Sequence, residues 1–205
     1  IYVSKSILRK EIYNVKKNLK LKIEEPINIL ILGGSQGAKF FDTTMQKLII
    51  NLSNICKLNV SQQIHDKKNE IEIRKIYEEN KIENYLFSFD KSLHNKLNLY
   101  DLAITRSGAS TISELAYSSI PFIAVPFPFA KDDHQYFNAK YYFDKNCCWL
   151  FEQKDFDEKK IVNLISDLIK DERKYSEKKE NIIKFSYQNT WNDINQKLID
   201  LLNEN

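Results

Sequence analysis

The chain has 205 residues, 42% of them hydrophobic and 12% aromatic, enough to bury one large or two small cores and too apolar for a disordered segment. Its 31 Lys and Arg against 28 Asp and Glu give a net charge of +3 with the signs interspersed, which makes no case for nucleic-acid binding and leaves only a weak attraction to anionic membrane surfaces. Cys56, Cys147 and Cys148 are odd in number and lack C-x-x-C spacing, which excludes a disulfide framework and a zinc ribbon and suits a reducing cytosol.

In chain order, residues 1–26 are basic and mixed in character, end at Pro26, and read as an interdomain linker or lead-in helix. No signal peptide is evident and the first residue is Ile1, so an upstream part is expected. Apolar runs then alternate with amphipathic stretches. They predict strands at 27–32, 58–64, 85–89, 102–105, 122–125 and 148–151, and helices at 40–52, 69–80, 92–100, 112–118 and 135–145. No apolar run approaches the roughly 20 residues of a membrane span. Beyond Phe151 the pattern is charged and helical, two or three helices in all. Strands alternating with helices imply βαβ units, hence an α/β, Rossmann-like parallel sheet with helices on both faces. Ligands of such sheets bind beyond the carboxyl ends of the strands.

Three stretches belong to that edge. Gly33-Gly34-Ser35-Gln36-Gly37-Ala38 follows the first strand, and its glycines allow close backbone approach to a phosphate; no Gly-Lys-Ser/Thr follows, and the spacing is not the dinucleotide fingerprint. A tight turn without a ligand would use the same residues. Thr105-Arg106-Ser107-Gly108-Ala109-Ser110-Thr111-Ile112-Ser113-Glu114 joins a strand to a helix through a turn too small to shield its amides. The positive end of that helix is then open to an anion, and Glu114, one turn in, is placed to accept hydrogen bonds from two neighbouring sugar hydroxyls. Diphosphate and diol together suggest a nucleotide. The competing reading is a capping box, with Ser110 as N-cap and Ser113 or Glu114 closing the first turn. Third, the rigid loop from Pro126 leads into a helix that Asp132 or Asp133 can cap, with His134 and Gln135 in its first turn facing the same edge. Asp155-Phe156-Asp157 matches the D-x-D pattern that holds a metal in some glycosyltransferases, but it precedes a charged helix and reads as an N-cap, so no metal and no cofactor is expected. No nucleophile sits in a G-x-S-x-G elbow, and no cysteine has a histidine near it in sequence.

These three blocks, in this order, resemble the MurG family of bacterial transferases. The likeness is carried by residues 31–38, by Arg106 to Glu114 and by His134-Gln135-Tyr136-Phe137-Asn138-Ala139, with Asp101, Pro121 and Pro126 also fitting. It implies the C-terminal, donor-binding half of a two-domain GT-B glycosyltransferase. The expected division is a linker over 1–26, a UDP-sugar-binding domain over 27–187, and a C-terminal helix over 188–205 whose Trp191, Ile194, Leu198 and Leu201 face a missing N-terminal domain.

The resemblance further implies an inverting transfer of N-acetylglucosamine from UDP-N-acetylglucosamine to undecaprenyl-diphospho-N-acetylmuramoyl-pentapeptide, at the cytoplasmic face of the plasma membrane, with peripheral attachment and no nucleic acid. By position, Gly34, Ser35 and Gln36 contact the diphosphate region. Ala109, Ser110, Thr111, Ile112, Ser113 and Glu114 cradle diphosphate and ribose, with Glu114 on the ribose hydroxyls. Asp90 meets the uracil, through backbone in the family, and Gln135 with His134 beside it holds the sugar. Arg9 matches the arginine that closes the family's G-N-P-V-R segment, although Gly-Asn-Pro is missing here. The catalytic base and the lipid-linked acceptor belong to the missing domain. Two alternatives stand beside this: the donor-binding subunit of a split N-acetylglucosamine transferase, and a non-catalytic nucleotide-sugar-binding protein.

Overall fold

The computed structural model describes residues 8–187, 195–196, 199–200 and 202–203, with the side chains of Lys10, Ser35, Gln36, Gly37, Ala38 and Tyr187 outside the description. The expected C-terminal seam of Trp191, Ile194, Leu198 and Leu201 lies outside the described residues. Six parallel strands form one sheet: β1 (Ile27–Leu32), β2 (Leu58–Gln63), β3 (Glu83–Phe87), β4 (Leu102–Thr105), β5 (Phe122–Ala124) and β6 (Cys148–Leu150). Their order is β3-β2-β1-β4-β5-β6. The crossovers run through α1 (Gly34–Ser53), α2 (Lys67–Glu79), the 3-10 segment Leu93–Leu99 between β3 and β4, α3 (Ala109–Tyr117) and α4 (His134–Phe143), followed by α5 (Glu158–Lys170) and α6 (Glu172–Tyr187).

Alternation along β1 shows how two faces are buried at once. Ile27, Ile29 and Ile31 join a core with Phe41, Met45 and Leu48 of α1, Tyr77 of α2 and Ile161 and Ile165 of α5. Leu30 and Leu32 point the other way, into a core with Leu115 of α3, Tyr142 of α4 and Ile182 of α6. Strands buried on both faces read as continuous apolar runs, and 27–32 does so except for Asn28. On α5, Ile161, Val162, Ile165 and Leu168 recur at helical spacing and are buried, and Asp157 caps the helix by accepting the amides of Lys159 and Lys160. The D-x-D stretch is thus an N-cap.

Several expectations need correction. The first helix begins at Gly34 rather than near residue 40, because Gly34 takes a left-handed φ of 63°, which glycine adopts without strain and which turns the chain from strand straight into helix. Residues 92–100 form a 3-10 segment, Leu93–Leu99, and not an α-helix. Residues 8–26 contain a 3-10 turn, Lys10–Asn14, that packs Leu8 and Ile12 against Tyr117 of α3.

Candidate functional site

The strand order reverses between β1 and β4, and there the crossovers leave the sheet in opposite directions and open a crevice at the carboxyl edge. A cavity of about 210 Å³ occupies that crevice, lined by Gly34 after β1, Gln63 at the end of β2, Phe87 and Phe89 at the end of β3, and Thr111 and Glu114 of α3. Gln63 ties the loops together: its Oε1 accepts the Gly34 amide at 3.1 Å and its Nε2 donates to the Ser88 carbonyl at 3.3 Å.

The α3 terminus settles the choice between cap and open end. The helix starts at Ala109, Gly108 holds the N-cap position, and no side chain caps it. Ser110 is inside the helix, so the capping-box reading fails, and the first-turn amides are left for solvent or an anion. Gly108 has an ordinary extended backbone, and a Cβ added there would meet only Thr111 Oγ1, at 3.9 Å. The fold therefore does not require glycine at 108, and its bareness keeps the approach to those amides open. Of the predicted cradle, Ala109 and Ser110 are exposed, and Thr111 and Glu114 line the cavity. Ile112 is in the core, and Ser113 Oγ is 3.1 Å from Tyr142 Oη, so those two side chains face away.

Arg9 reaches Glu114 across 105 residues: Nε to Oε1 and Nη2 to Oε2 are both 3.1 Å, in a forked pair. The reason is local on each side. Ile12 and Tyr13 grip Tyr117, with the two tyrosine rings 5.1 Å apart edge to face, and Glu114 lies one turn before Tyr117 on the same face of α3. Arg9 and Glu114 are each three residues ahead of that contact. Burial pushes the Glu114 carboxyl above the ordinary glutamate range, with Arg9 and then His94 working against the shift.

Behind the turn, Arg106 is 4% exposed. Its guanidinium donates to the Val125 and Pro126 carbonyls at 3.1 and 3.0 Å and to Gln153 Oε1, all neutral acceptors. The rings of Phe40, Phe41 and Phe127 lie 5.0, 5.1 and 5.6 Å from it. Burial lowers its pKa to about 10, so it stays charged at neutral pH. A buried cation is thus fixed next to the Ser107-Gly108 turn. Gln135 and Asn138 hold the same turn: Gln135 Oε1 accepts the amides of Ser107 and Phe127 at 3.1 and 3.0 Å, and Asn138 Nδ2 donates to the Ser107 carbonyl at 3.1 Å. Gln135 therefore has its oxygen committed to the scaffold and only its amide nitrogen left for a ligand.

The remaining predicted residues are His134, Asp90, Ser35 and Gln36. His134 is exposed, its Nδ1 2.8 Å from the Lys131 carbonyl. Neither Asp132 nor Asp133 caps α4 with its side chain; both have left-handed φ, and Asp133 occupies the N-cap position without a cap bond. Asp90 lines the cavity, and its carboxylate is engaged by Lys96 at 2.9 Å and by the Ser92 amide and hydroxyl at 2.8 and 2.7 Å. The Lys96 contact above all lowers its pKa to about 2. For Ser35 and Gln36 the backbone is helical. Gln63, Phe87 and His94 also line the cavity, and sequence reasoning assigned them no role. The three come from the ends of different strands and a 3-10 segment, where neither a 2- nor a 3.6-residue period marks a face. Among the described residues no cluster of His, Cys, Asp and Glu is arranged to hold a metal, and no helix is long and apolar enough to cross a membrane.

The profile of the glycosyltransferase family 28 C-terminal domain matches residues 28–196. The chain belongs to this family. Its relatives agree with that. UDP-N-acetylglucosamine--N-acetylmuramyl-(pentapeptide) pyrophosphoryl-undecaprenol N-acetylglucosamine transferase of Pelagibacter ubique is 42% identical over 205 residues, covering all of this chain and 57% of the relative. The protein of the same name from Campylobacter hominis is 40% identical over 139 residues, 68% of this chain and 40% of the relative. In structure, MurG of Acinetobacter baumannii superposes with a TM-score of 0.77 at 23% identity, covering all of this chain and 58% of that one. The family 28 domain thus has the fold of the C-terminal part of a GT-B glycosyltransferase, and the chain spans about half the length of the curated relatives it matches.

Proposed function

We propose that this chain is the donor-binding part of an inverting transferase that moves N-acetylglucosamine from UDP-N-acetylglucosamine to undecaprenyl-diphospho-N-acetylmuramoyl-pentapeptide, forming lipid II from lipid I for peptidoglycan. The observation that carries this reading is the switch-point cavity: an uncapped helix terminus at Gly108 stands beside a half-buried carboxylate, Glu114, at the crevice where Rossmann-like sheets bind nucleotides. The relatives' names support the sugar and the acceptor. In this reading residues 27–187 are the donor domain. The enzyme works at the cytoplasmic face of the plasma membrane, attached peripherally.

The amides of Ala109 and Ser110 and the α1 terminus at Gly34, Ser35 and Gln36 take the diphosphate, and Glu114 takes the ribose hydroxyls. The backbone at Asp90 faces the uracil, and Gln135, through its free amide nitrogen and with His134 beside it, holds the sugar. Arg9 leaves Glu114 for the diphosphate when the donor enters. In the reaction the muramoyl 4-hydroxyl oxygen bonds to the anomeric carbon while the bond from that carbon to the diphosphate breaks. UDP leaves with the electron pair, and a base outside this chain takes the hydroxyl proton. Negative charge grows on the diphosphate in that step. Fixed donors stabilise it, each worth about 3 kcal/mol where one such donor has been removed from an oxyanion site. The α3 dipole and buried Arg106 act in the same direction.

Calorimetric titration of the chain with UDP-N-acetylglucosamine and UDP-glucose tests the proposal. Binding of the first, tighter than the second, is expected. No binding of either nucleotide would leave a relic of the fold without its donor site.

A further inference from the structure

His94 stands in the switch-point cavity without any part in the family-based assignment. It belongs to the 3-10 segment Leu93–Leu99, and its ring lines the cavity together with Glu114, Thr111 and Arg9. The segment is anchored at both ends: Asp90 is tied to Ser92 and Lys96, and Leu97 is buried in the core under α3. Neither ring nitrogen of His94 has a hydrogen-bond partner among the described residues, and of the two only Nδ1 is buried. A buried N–H without an acceptor is costlier than an empty lone pair, so in the neutral ring the proton belongs on Nε2. Nε2–H is then a donor at the wall of the cavity.

A carboxylate alone completes half of a buried diol. Glu114 can accept the O–H of each hydroxyl, but the hydroxyl oxygens keep lone pairs that need a donor once water is excluded. Thr111 offers a hydroxyl, and Arg9 is required elsewhere in the assignment above. His94 supplies the missing donor from the same cavity.

We propose that His94 contacts the nucleoside, donating Nε2–H to a ribose oxygen of the nucleotide whose hydroxyls Glu114 accepts, and so makes the cavity selective for ribonucleotides over deoxyribonucleotides. This rests on the reading of the cavity as a nucleotide site. The test titrates the chain and its His94→Ala and His94→Gln variants with UDP, 2′-deoxy-UDP and 3′-deoxy-UDP, with melting curves alongside. The wild-type chain prefers UDP. His94→Ala loses about five- to tenfold in UDP affinity, the size of one net hydrogen bond, and leaves the deoxy analogue lacking the contacted oxygen unchanged. His94→Gln, which keeps an N–H donor, regains part of the loss, and it decides the matter if His94→Ala does not fold. UDP affinity in His94→Ala within about twofold of wild type overturns the proposal, as does an equal loss for UDP and both deoxy analogues, which marks a merely structural residue. Failure of the wild-type chain to bind UDP at all overturns the nucleotide-site reading itself, and is thereby told apart from failure of the His94 contact.

Discussion

Glu114→Gln changes the charge at the cavity and almost nothing of its shape. The carboxylate is 17% exposed and is assigned two ribose hydroxyls, each a charge-assisted hydrogen bond of about 1.5–3 kcal/mol net. Glutamine keeps one acceptor and turns the other position into a donor, so one bond is lost and one weakened. The expected cost is about 3 kcal/mol, or roughly 100-fold in UDP affinity. Stability responds differently. The ion pair lost is with Arg9, whose side chain is 60% exposed, and such a pair contributes at most about 1 kcal/mol. Removing a half-buried charge acts in the opposite direction, so the melting temperature stays within about 3 °C. Asp157→Ala is the mirror control. It removes a cap that accepts the Lys159 and Lys160 amides at 2.8 and 3.4 Å, costs about 1 kcal/mol of stability, and leaves UDP affinity alone. Titration calorimetry with UDP and thermal melts of both variants give the four numbers required. Unchanged affinity in Glu114→Gln, or equal affinity losses in the two variants, would refute the ribose assignment.

Acid is expected to weaken nucleotide-sugar binding earlier than an ordinary glutamate would. Burial raises the Glu114 pKa above 4.5, so the carboxylate is protonated sooner as pH falls; affinity for UDP-N-acetylglucosamine, whose diphosphate lacks the titrating terminal phosphate of UDP, drops at a higher pH in wild type than an ordinary glutamate would give and shows no such drop in Glu114→Gln. Lys179 is fully buried against the Ser119 carbonyl, and burial lowers its pKa from 10.5 to about 7. The unfolded chain then holds the extra proton above pH 7, so stability rises with pH; between 7 and 8.5 the gain is on the order of 1 kcal/mol, and urea unfolding of Lys179→Met shows no such gain. Arg106→Lys cannot reproduce the forked contacts to Val125, Pro126 and Gln153, and is expected to cost about 2 kcal/mol in urea unfolding together with a measurable loss of UDP affinity. A stability equal to wild type would remove Arg106 from the scaffold of the turn. Excess chelator leaves UDP affinity unchanged if Asp155 and Asp157 serve only the α5 terminus; loss restored by magnesium would contradict that.

Much of the site could be read before the fold was known, and the rest could not, for identifiable reasons. Arg106 to Glu114 announced a strand, a bare turn and a helix, and all three occur; what local spacing left open was whether Ser110 capped the helix, and only the backbone, with Gly108 at the N-cap, decided it. His134 and Gln135 were placed on the right edge, yet Gln135 turned out to spend its oxygen on Ser107 and Phe127. Acids ahead of a helix were read as caps twice. That held for Asp157, whose extended backbone lets the side chain reach back, and failed for Asp133, whose left-handed backbone aims it elsewhere.

By itself the sequence determined the succession of strands and helices, the two-sided burial of the sheet, the three loops at its carboxyl edge and the family. Each of these is written in periods of two or 3.6 residues, or in short blocks of contiguous residues, where neighbours in the chain are neighbours in space. Tertiary structure decided the strand order β3-β2-β1-β4-β5-β6, the crevice between β1 and β4, the pairing of Arg9 with Glu114, and the entry of His94 into the same cavity. The same alternation of elements is compatible with other strand orders, and contacts across 105 residues depend on which order packs both faces of the sheet. Local patterning carries no record of that choice.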